Sequence, residues 1–404
     1  MKNKKTKLMI IFTLLLISII LLIIFVPKFI EYERIKHAKV IVTLKEDLTI
    51  PFNEEAHISD FIESINGKIN NDKKINTVKL GKQTINFKYT NDDDIVVPYS
   101  YEIEVIDNTE PIIWLGGKYT VTKGYKGNLE GDIMCADDTD DTPECHIEGE
   151  YDTNEVGTYN LTFIATDKSG NTKNQEFILD VKEPSNQNST STPSKTLFSD
   201  AYSKYKSDDT KVGIDVSAWQ GDIDFERVKE AGVEFAILRV GSKTGENKEY
   251  FVDSKFIQNI EGFNKVGIPV GLYFYSYSEN KKESIMDAKW IIEQIKDYKV
   301  DLPIAYDWEN WSKYNSYHLS LYNLSNNAKV FLDTLKKSGY DGMLYSSKSY
   351  LEGLWMDIGY PTWLAHYTSE TYYEGEYTFW QFCSNGVVDG INGDVDLDVM
   401  YLND

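Results

Sequence analysis

Residues 183–195, EPSNQNSTSTPSK, hold no large apolar side chain and separate two rhythms that cannot share one core. Before them, short alternating runs broken by Gly, Asn and Asp read as half-buried strands. After them, apolar runs alternate with helical patterns, the rhythm of α/β structure. The stretch itself reads as a flexible linker, assigned to 183–209. A chain of 404 residues also exceeds what one core organises. The expected order is a basic tail, membrane helix and juxtamembrane segment (1–37), two all-β domains (38–107 and 108–182), the linker, and an α/β barrel (210–404).

Lys2, Lys4, Lys5 and Lys7 precede LMIIFTLLLISIILLIIFV at 8–26. As a helix this uncharged run spans roughly 28 Å, close to the ~30 Å hydrocarbon core of a bilayer. The positive flank belongs in the cytoplasm, which puts the C-terminal bulk outside the cell or in its wall. A cleaved signal peptide is the competing reading. Its apolar region is usually shorter and ends in small residues, whereas FVPKFIEYER follows here without an A-x-A-like site. A single-pass, uncleaved anchor in the cell membrane is therefore expected. A net charge of −22 opposes nucleic-acid binding, which needs clustered Lys and Arg.

An internal repeat runs through the β region. NTVKLGKQTINFKYT (76–90) parallels DTNEVGTYNLTFIAT (152–166). Gly81 aligns with Gly157, Ile85 with Leu161, Phe87 with Phe163 and Val105 with Val181, all at an offset of 76 residues. Two tandem copies of one small β-sandwich are expected. The second copy opens with DNTEPIIWL (107–115) and carries ATDKSGN (165–171) near its end. It resembles the bacterial immunoglobulin-like modules of surface proteins, which implies a spacer or adhesive role, with protein partners possible and no chemistry. Cys135 and Cys145 lie in this copy, where an extracellular disulfide is possible. Cys383 is left over and reads as a buried or half-buried thiol. No C-x-x-C occurs and His is scarce, so no metal site is expected. The acidic run DDTDDTPE (137–144) has oxygens that suit calcium but lacks EF-hand spacing, and reads as a solvated loop.

In 210–404 the strand candidates are VGIDVS (212–217), FAILRVG (235–241), PVGLYFYS (269–276), LPIAYDWE (302–309), GMLYSS (342–347), TWLAHY (362–367), TFWQF (378–382) and DVDLDVM (394–400). Helical patterns at 283–298 and 326–339 lie between them, the latter closed by Gly339. Eight mostly parallel strands suggest a closed TIM-like barrel whose last part has lost its helices. In such a barrel the C-terminal strand ends hold the site.

Several of those ends carry acids or aromatics: Asp215, Tyr273 and Tyr275, Asp307 and Glu309, Asp396 and Asp398. Residues i and i+2 of a strand face the same way. Asp307 and Glu309 should then share the barrel mouth, their backbones about 6.7 Å apart. Glycosidic cleavage needs such a pair, one carboxyl protonated to serve the leaving oxygen and one charged to support the developing positive charge. Trp219, Trp363, Trp380, Tyr345 and Tyr367 are candidate sugar platforms, with core packing the alternative for each. Arg239 reads as half of an ion pair. His366 reads as a hydrogen-bonded strand-end residue rather than a catalytic one.

GIDVSAWQGDIDF, GLYFYSYS, IAYDWEN, GYDGMLYSS, WLAHY, WQF and GDVDLDVM run in order through 210–404. Together they resemble glycoside hydrolase family 25, the muramidase or lysozyme family. The resemblance implies a (βα)5β3 barrel and hydrolysis of the β-1,4 bond between N-acetylmuramic acid and N-acetylglucosamine in peptidoglycan. It implies Glu309 as proton donor, Asp307 as its partner, and Asp215 and Asp396 as supporting acids. No cofactor is implied. The i, i+2 spacing leaves stereochemistry open, and the resemblance suggests retention. Tyr273-Phe274-Tyr275 stands where many members have Tyr-His-Phe, and Asp398 where many have Asn. Two other functions stay open: a non-catalytic glycan-binding scaffold, and a hydrolase of another 2-acetamido glycan such as chitin.

Overall fold

The computed structural model describes residues 2–184, 194–244 and 249–402. The chain forms two compact units, Met1–Asn108 and Thr109–Asp404.

The first unit opens with a helix, Lys2–Lys36. Within it Leu14–Lys36 contains an 18-residue window of mean hydropathy 2.6 and is long and apolar enough to cross a membrane by length and composition. The helix runs past the expected 8–26 because 28–36, KFIEYERIK, is rich in helix formers. A four-stranded sheet follows, in the order Thr49–Pro51, Val96–Ile106, Gly81–Asn91, Gly67–Ile69, with a separate pair of Val42–Leu44 and Ile62–Ile65. Alternation puts Phe87, Tyr89, Val97, Tyr101, Ile103 and Val105 inside.

The second unit begins with the same arrangement. Its sheet runs Glu144–Glu148, Gly157–Thr166, Thr172–Lys182, Lys118–Thr122, and the separate pair is Ile112–Trp114 with Met134–Ala136. The repeat is visible in the pairing itself. Gly81 lies opposite Val105 and Gly157 opposite Val181; Ile85 lies opposite Tyr101 and Leu161 opposite Phe177. In both copies a short strand pairs in parallel with the last one, Ile50 beside Val105 and Val121 beside Val181. Cys135 and Cys145 are joined by a disulfide that links the strand pair to the sheet.

Two expectations change here. The acidic run is not merely solvated: Asp137 and Asp140 are buried. Asp137 accepts the backbone N–H groups of Thr139 and Asp140, and Asp140 pairs with Lys168 at 2.6 Å. The linker is also shorter than 183–209. Thr196–Leu197 pairs with a barrel strand, and the helix Phe198–Tyr205 buries Phe198 and Ala201 against the barrel. Residues 185–193, the centre of the linker reading, lie outside the described residues.

The barrel strands are β1 Thr210–Val216, β2 Ala236–Thr244, β3 Val270–Tyr275, β4 Ile304–Asp307, β5 Gly342–Ser347, β6 Thr362–Ala365, β7 Phe379–Val387 and β8 Val395–Tyr401. Strands β1 to β7 are parallel neighbours in sequence order. Antiparallel β8 closes the ring between β7 and β1. Five helices connect the first six strands: α1 Phe225–Glu230, α2 Phe256–Val266, α3 Lys281–Ile295, α4 Leu321–Lys337 and α5 Lys348–Gly353. α3 and α4 begin earlier than the pattern suggests because Asn280 and Ser320 cap them, accepting the N–H groups of Glu283 and Asn323. Gly339 takes a φ of 88°, the left-handed turn that ends α4.

The strand period sorts side chains into two cores. Ile214, Leu238, Leu272, Ile304, Tyr306, Leu344, Leu364, Trp380 and Leu397 face outward, into the layer shared with the helices. Ile237, Ala305, Met343, Trp363, Phe379 and Met400 fill the inside. Gly213 leaves room for Phe235, since a Cβ there would lie 2.5 Å from the Phe235 carbonyl oxygen.

Removing the disulfide with Cys145→Ser should destabilise the second β region by about 3 kcal/mol, the loop-closure value for a cross-link of this span. Thermal unfolding under non-reducing conditions reads this. An unchanged transition would mean that the bond does not constrain the unfolded chain.

Candidate active site

The β4 segment places the two acids. Ala305 points inward, Tyr306 outward, Asp307 inward and Trp308 outward, fully buried. Glu309 follows one step beyond the strand, on the same side as Asp307 and open to solvent. Both line a groove of about 690 Å³ at the C-terminal mouth of the barrel. Asp215, Asp396, Tyr273, Tyr275, Tyr345, Trp363, Tyr367, Trp219 and Arg239 line it too, so nearly every expected site residue converges there.

Asp215 and Asp396 sit directly opposite each other on β1 and β8. Asp398, one inward position further along β8, is completely buried opposite Gly213 of β1. Its Oδ1 accepts the indole N–H of Trp363 at 2.8 Å. Arg239 forms the expected ion pair, holding buried Asp253 at 2.6 Å, and its charge also reaches Asp307.

Burial raises the proton affinity of this whole acid set. Asp307 is pushed well up, first by burial and then by the charge of Glu309. Glu309 is raised as well, by burial, while its hydrogen bond with Asp307 pulls the other way. The two carboxyls share hydrogen bonding and titrate as a pair. Asp396 is pushed up to about 6 by burial, with Glu309 and Asp394 adding repulsion. Asp215 and Asp398 are raised strongly by burial, and their neighbouring carboxylates add to it. Proton affinity in this set is thus shifted toward the range where an isolated carboxyl would be ionised, the direction acid catalysis requires.

Two aromatic expectations are corrected. Trp380 is not at the groove. It is one residue from inward-facing Gln381, so the strand turns it outward, where it packs on Tyr205 and Phe382 and donates to the His366 carbonyl. Trp363 does face inward but is 2% exposed, packed between Tyr345 and Tyr273 with its N–H held by Asp398. It forms the groove floor rather than an open platform. Trp219, 85% exposed on the turn Ala218–Gln220, and Tyr367, 58% exposed, have free faces at the rim. His366 hydrogen-bonds Thr371 and stacks edge-on with Tyr372, away from the groove. Cys383 is half-buried.

Gln381 is the functional residue that the sequence reading missed. Its amide nitrogen donates to Asp215 at 2.7 Å, and its oxygen accepts from both Tyr345 and Tyr367 at 2.9 Å. The signal was present: an amide set between the large apolar side chains of Trp380 and Phe382.

The buried acids carry a stability cost with a definite sign. Asp215 and Asp398 keep protons in the fold that the unfolded chain releases near 3.8. That contribution is full below this value and is lost as pH rises through the higher folded values. Asp398→Asn keeps an acceptor for Trp363 and removes one charge. The variant should match wild type in thermal stability near pH 4 and exceed it increasingly toward pH 8. A difference that stays flat with pH would show that Asp398 is not the group responsible.

Residues 214–391 match the family model for glycosyl hydrolases family 25. The chain is 29% identical over 191 residues to the autolytic lysozyme of Clostridium acetobutylicum, covering 46% of this chain and 54% of that protein. It is 30% identical over 197 residues to the uncharacterized protein YegX of Escherichia coli K12, covering 46% of this chain and 68% of that protein. Lysozyme M1 of Streptomyces globisporus is 30% identical over 198 residues, with 65% of its length covered. Among solved structures, a family 25 glycosyl hydrolase from Bacillus anthracis aligns with a TM-score of 0.44 at 24% identity, over 53% of this chain and 96% of that one. The present chain thus spans about half the length of the Clostridium relative. The groove lies within the matched region, apart from Gly393, Asp394 and Asp396 just beyond it, and the chain belongs to glycosyl hydrolase family 25.

Proposed function

We propose that this protein is a membrane-anchored N-acetylmuramidase that cleaves the β-1,4 bond between N-acetylmuramic acid and N-acetylglucosamine in peptidoglycan. The observation that carries the reading is the Asp307–Glu309 pair on the floor of an open groove rimmed by Trp219, Tyr275 and Tyr367. A long open groove suits a polymer, and free aromatic faces suit sugar rings.

In this reading Glu309 holds a proton because burial raises its affinity, and its solvent-facing position lets it reach the leaving oxygen. Asp307, more deeply buried, orients the N–H of the substrate's 2-acetamido group. That group's carbonyl oxygen attacks the anomeric carbon as the glycosidic bond breaks. Water then opens the resulting ring, with Glu309 accepting its proton, so the anomeric configuration is retained. Asp215, tied through Gln381 to Tyr345 and Tyr367, and Asp396 opposite it fix the other wall. The N-terminal helix is the anchor, and the two β regions, which we read as immunoglobulin-like sandwiches, lie between it and the barrel in the chain. Such a protein would act on the wall outside its own membrane, remodelling or locally perforating it.

The test is muropeptide release from purified peptidoglycan by the detergent-solubilised full chain. New reducing ends should appear on muramic acid. Glu309→Gln should lower the rate by about a thousandfold or more, with binding retained, because proton donation to a poor leaving group is lost. Reducing ends on glucosamine, or cleavage of chitin in preference, would reassign the bond. Glycan binding with no cleavage on several wall types would make the protein a scaffold.

The rate should follow a bell in pH. Its alkaline limb reports loss of the Glu309 proton and lies above the ordinary carboxyl value of 4.5, because burial raises that group. A rate that keeps rising beyond neutral pH would remove Glu309 as donor.

A further inference from the structure

We propose that the second β region is a working part of the catalytic barrel, and that Asn315 is a positioning residue that holds the segment carrying Glu309 against it. The idea rests on the function proposed above, but its physical core concerns the fold and can be tested without substrate.

The segment after Glu309 folds back as a tight helical turn, Trp311–Tyr317. Its first N–H, from Trp311, donates to the carbonyl of Glu309 itself at 2.8 Å. The position of the acid therefore follows the position of this turn. In the layer outside the barrel strands the turn is gripped by aromatics: Trp308 meets Trp311 and Tyr317 edge-on, at ring separations of 4.8 and 5.3 Å.

The other face of the turn rests on the β region. The Asn315 side chain makes three hydrogen bonds there. Its oxygen accepts the Cys135 N–H at 3.0 Å, and its nitrogen donates to the carbonyls of Ile133 and Gly131 at 2.8 and 3.1 Å. An amide that satisfies three backbone groups of a neighbouring β segment fixes both distance and direction. Two further contacts flank it. The N–H groups of Leu321 and Tyr322, at the start of α4, donate to the carbonyls of Asp137 and Asp138. On the other side Trp311 stacks on Tyr350 at 4.3 Å, and Tyr350 meets Trp114 of the β region at 5.4 Å. Gly353 leaves space for that indole, since a Cβ there would lie 2.6 Å from the Trp114 ring. Met134 and Ala136 are buried in the same apolar cluster as the barrel helices.

A spacer needs none of this. One strand pair of the β region enters the barrel's apolar cluster, while its sheet packs a core of its own, and the hydrogen bonds converge on the turn next to the proton donor. Six titratable groups feel the charge of Glu309 or bear on it: Asp307, Tyr275, Tyr345, Tyr350, Tyr367 and Asp396. Of these, only Tyr350 also lies on the route to the β region.

Two variants of the full chain loosen the contact at separate points: Asn315→Ala removes the amide, and Gly353→Ala pushes on Trp114. Hydrogen exchange reads the coupling first. The amides of 311–317 should exchange at least about tenfold faster in each variant, while those of β1 to β3 stay as in wild type. On peptidoglycan, kcat should fall about tenfold to a hundredfold with KM within about twofold, the signature of a misplaced catalytic group. The alkaline limb of the pH profile should move down, because Glu309 returns toward water. Asn315→Asp keeps the acceptor for Cys135 but loses both donors, and should fall between alanine and wild type. Unchanged exchange at 311–317 would overturn the proposal, as would faster exchange with unchanged kcat and pH profile. An inactive wild-type chain would instead sink the proposed function, and the exchange data would still decide whether the β region holds the turn.

Discussion

The two-residue period of the β-strand governs this molecule. Along β4 it sends Ile304, Tyr306 and Trp308 into the apolar layer and Ala305 and Asp307 into the barrel, with Glu309 completing the series at the mouth. The same rule on β1 and β8 brings Asp215, Asp396 and Asp398 to one place, although the two strands run in opposite directions. Buried carboxyls cost free energy unless protonated or bonded. The barrel meets that cost with hydrogen bonds from Gln381 and Trp363 and the charge of Arg239, and by raising the proton affinity of the acids themselves.

Much of this was legible from the residues. The Asp-x-Glu spacing, the acids at other strand ends and the change of rhythm after the linker all follow from local pattern. So does the duplication, whose offset reappears in the pairing of Gly81 with Val105 and Gly157 with Val181. What the pattern hid was depth. Trp363 and Trp380 look alike in sequence, yet one lines the groove floor and the other faces the helix Phe198–Tyr205, because parity along a strand decides side but not exposure. Counting from Gln381 separates them, once its hydrogen bonds mark the inner face.

The linker reading ran too far toward the C-terminus for a related reason. Residues 194–205 are polar on average, but Phe198 and Ala201 recur at helical spacing and bury on the barrel. Composition averaged over a window loses such a face. The contact between Asn315 and residues 131–135 was beyond any local reading, because the partners are some 180 residues apart and each looks like an ordinary loop residue.

The two β copies share a topology but not a surface. Trp114 and Cys135 sit on the separate strand pair of the second copy, whereas the matching pair of the first, Val42–Leu44 with Ile62–Ile65, has neither Trp nor Cys. The second copy enters the barrel's apolar cluster through Met134 and Ala136, so any change to its strand pair is also a change to the wall behind the groove, and the two must vary together.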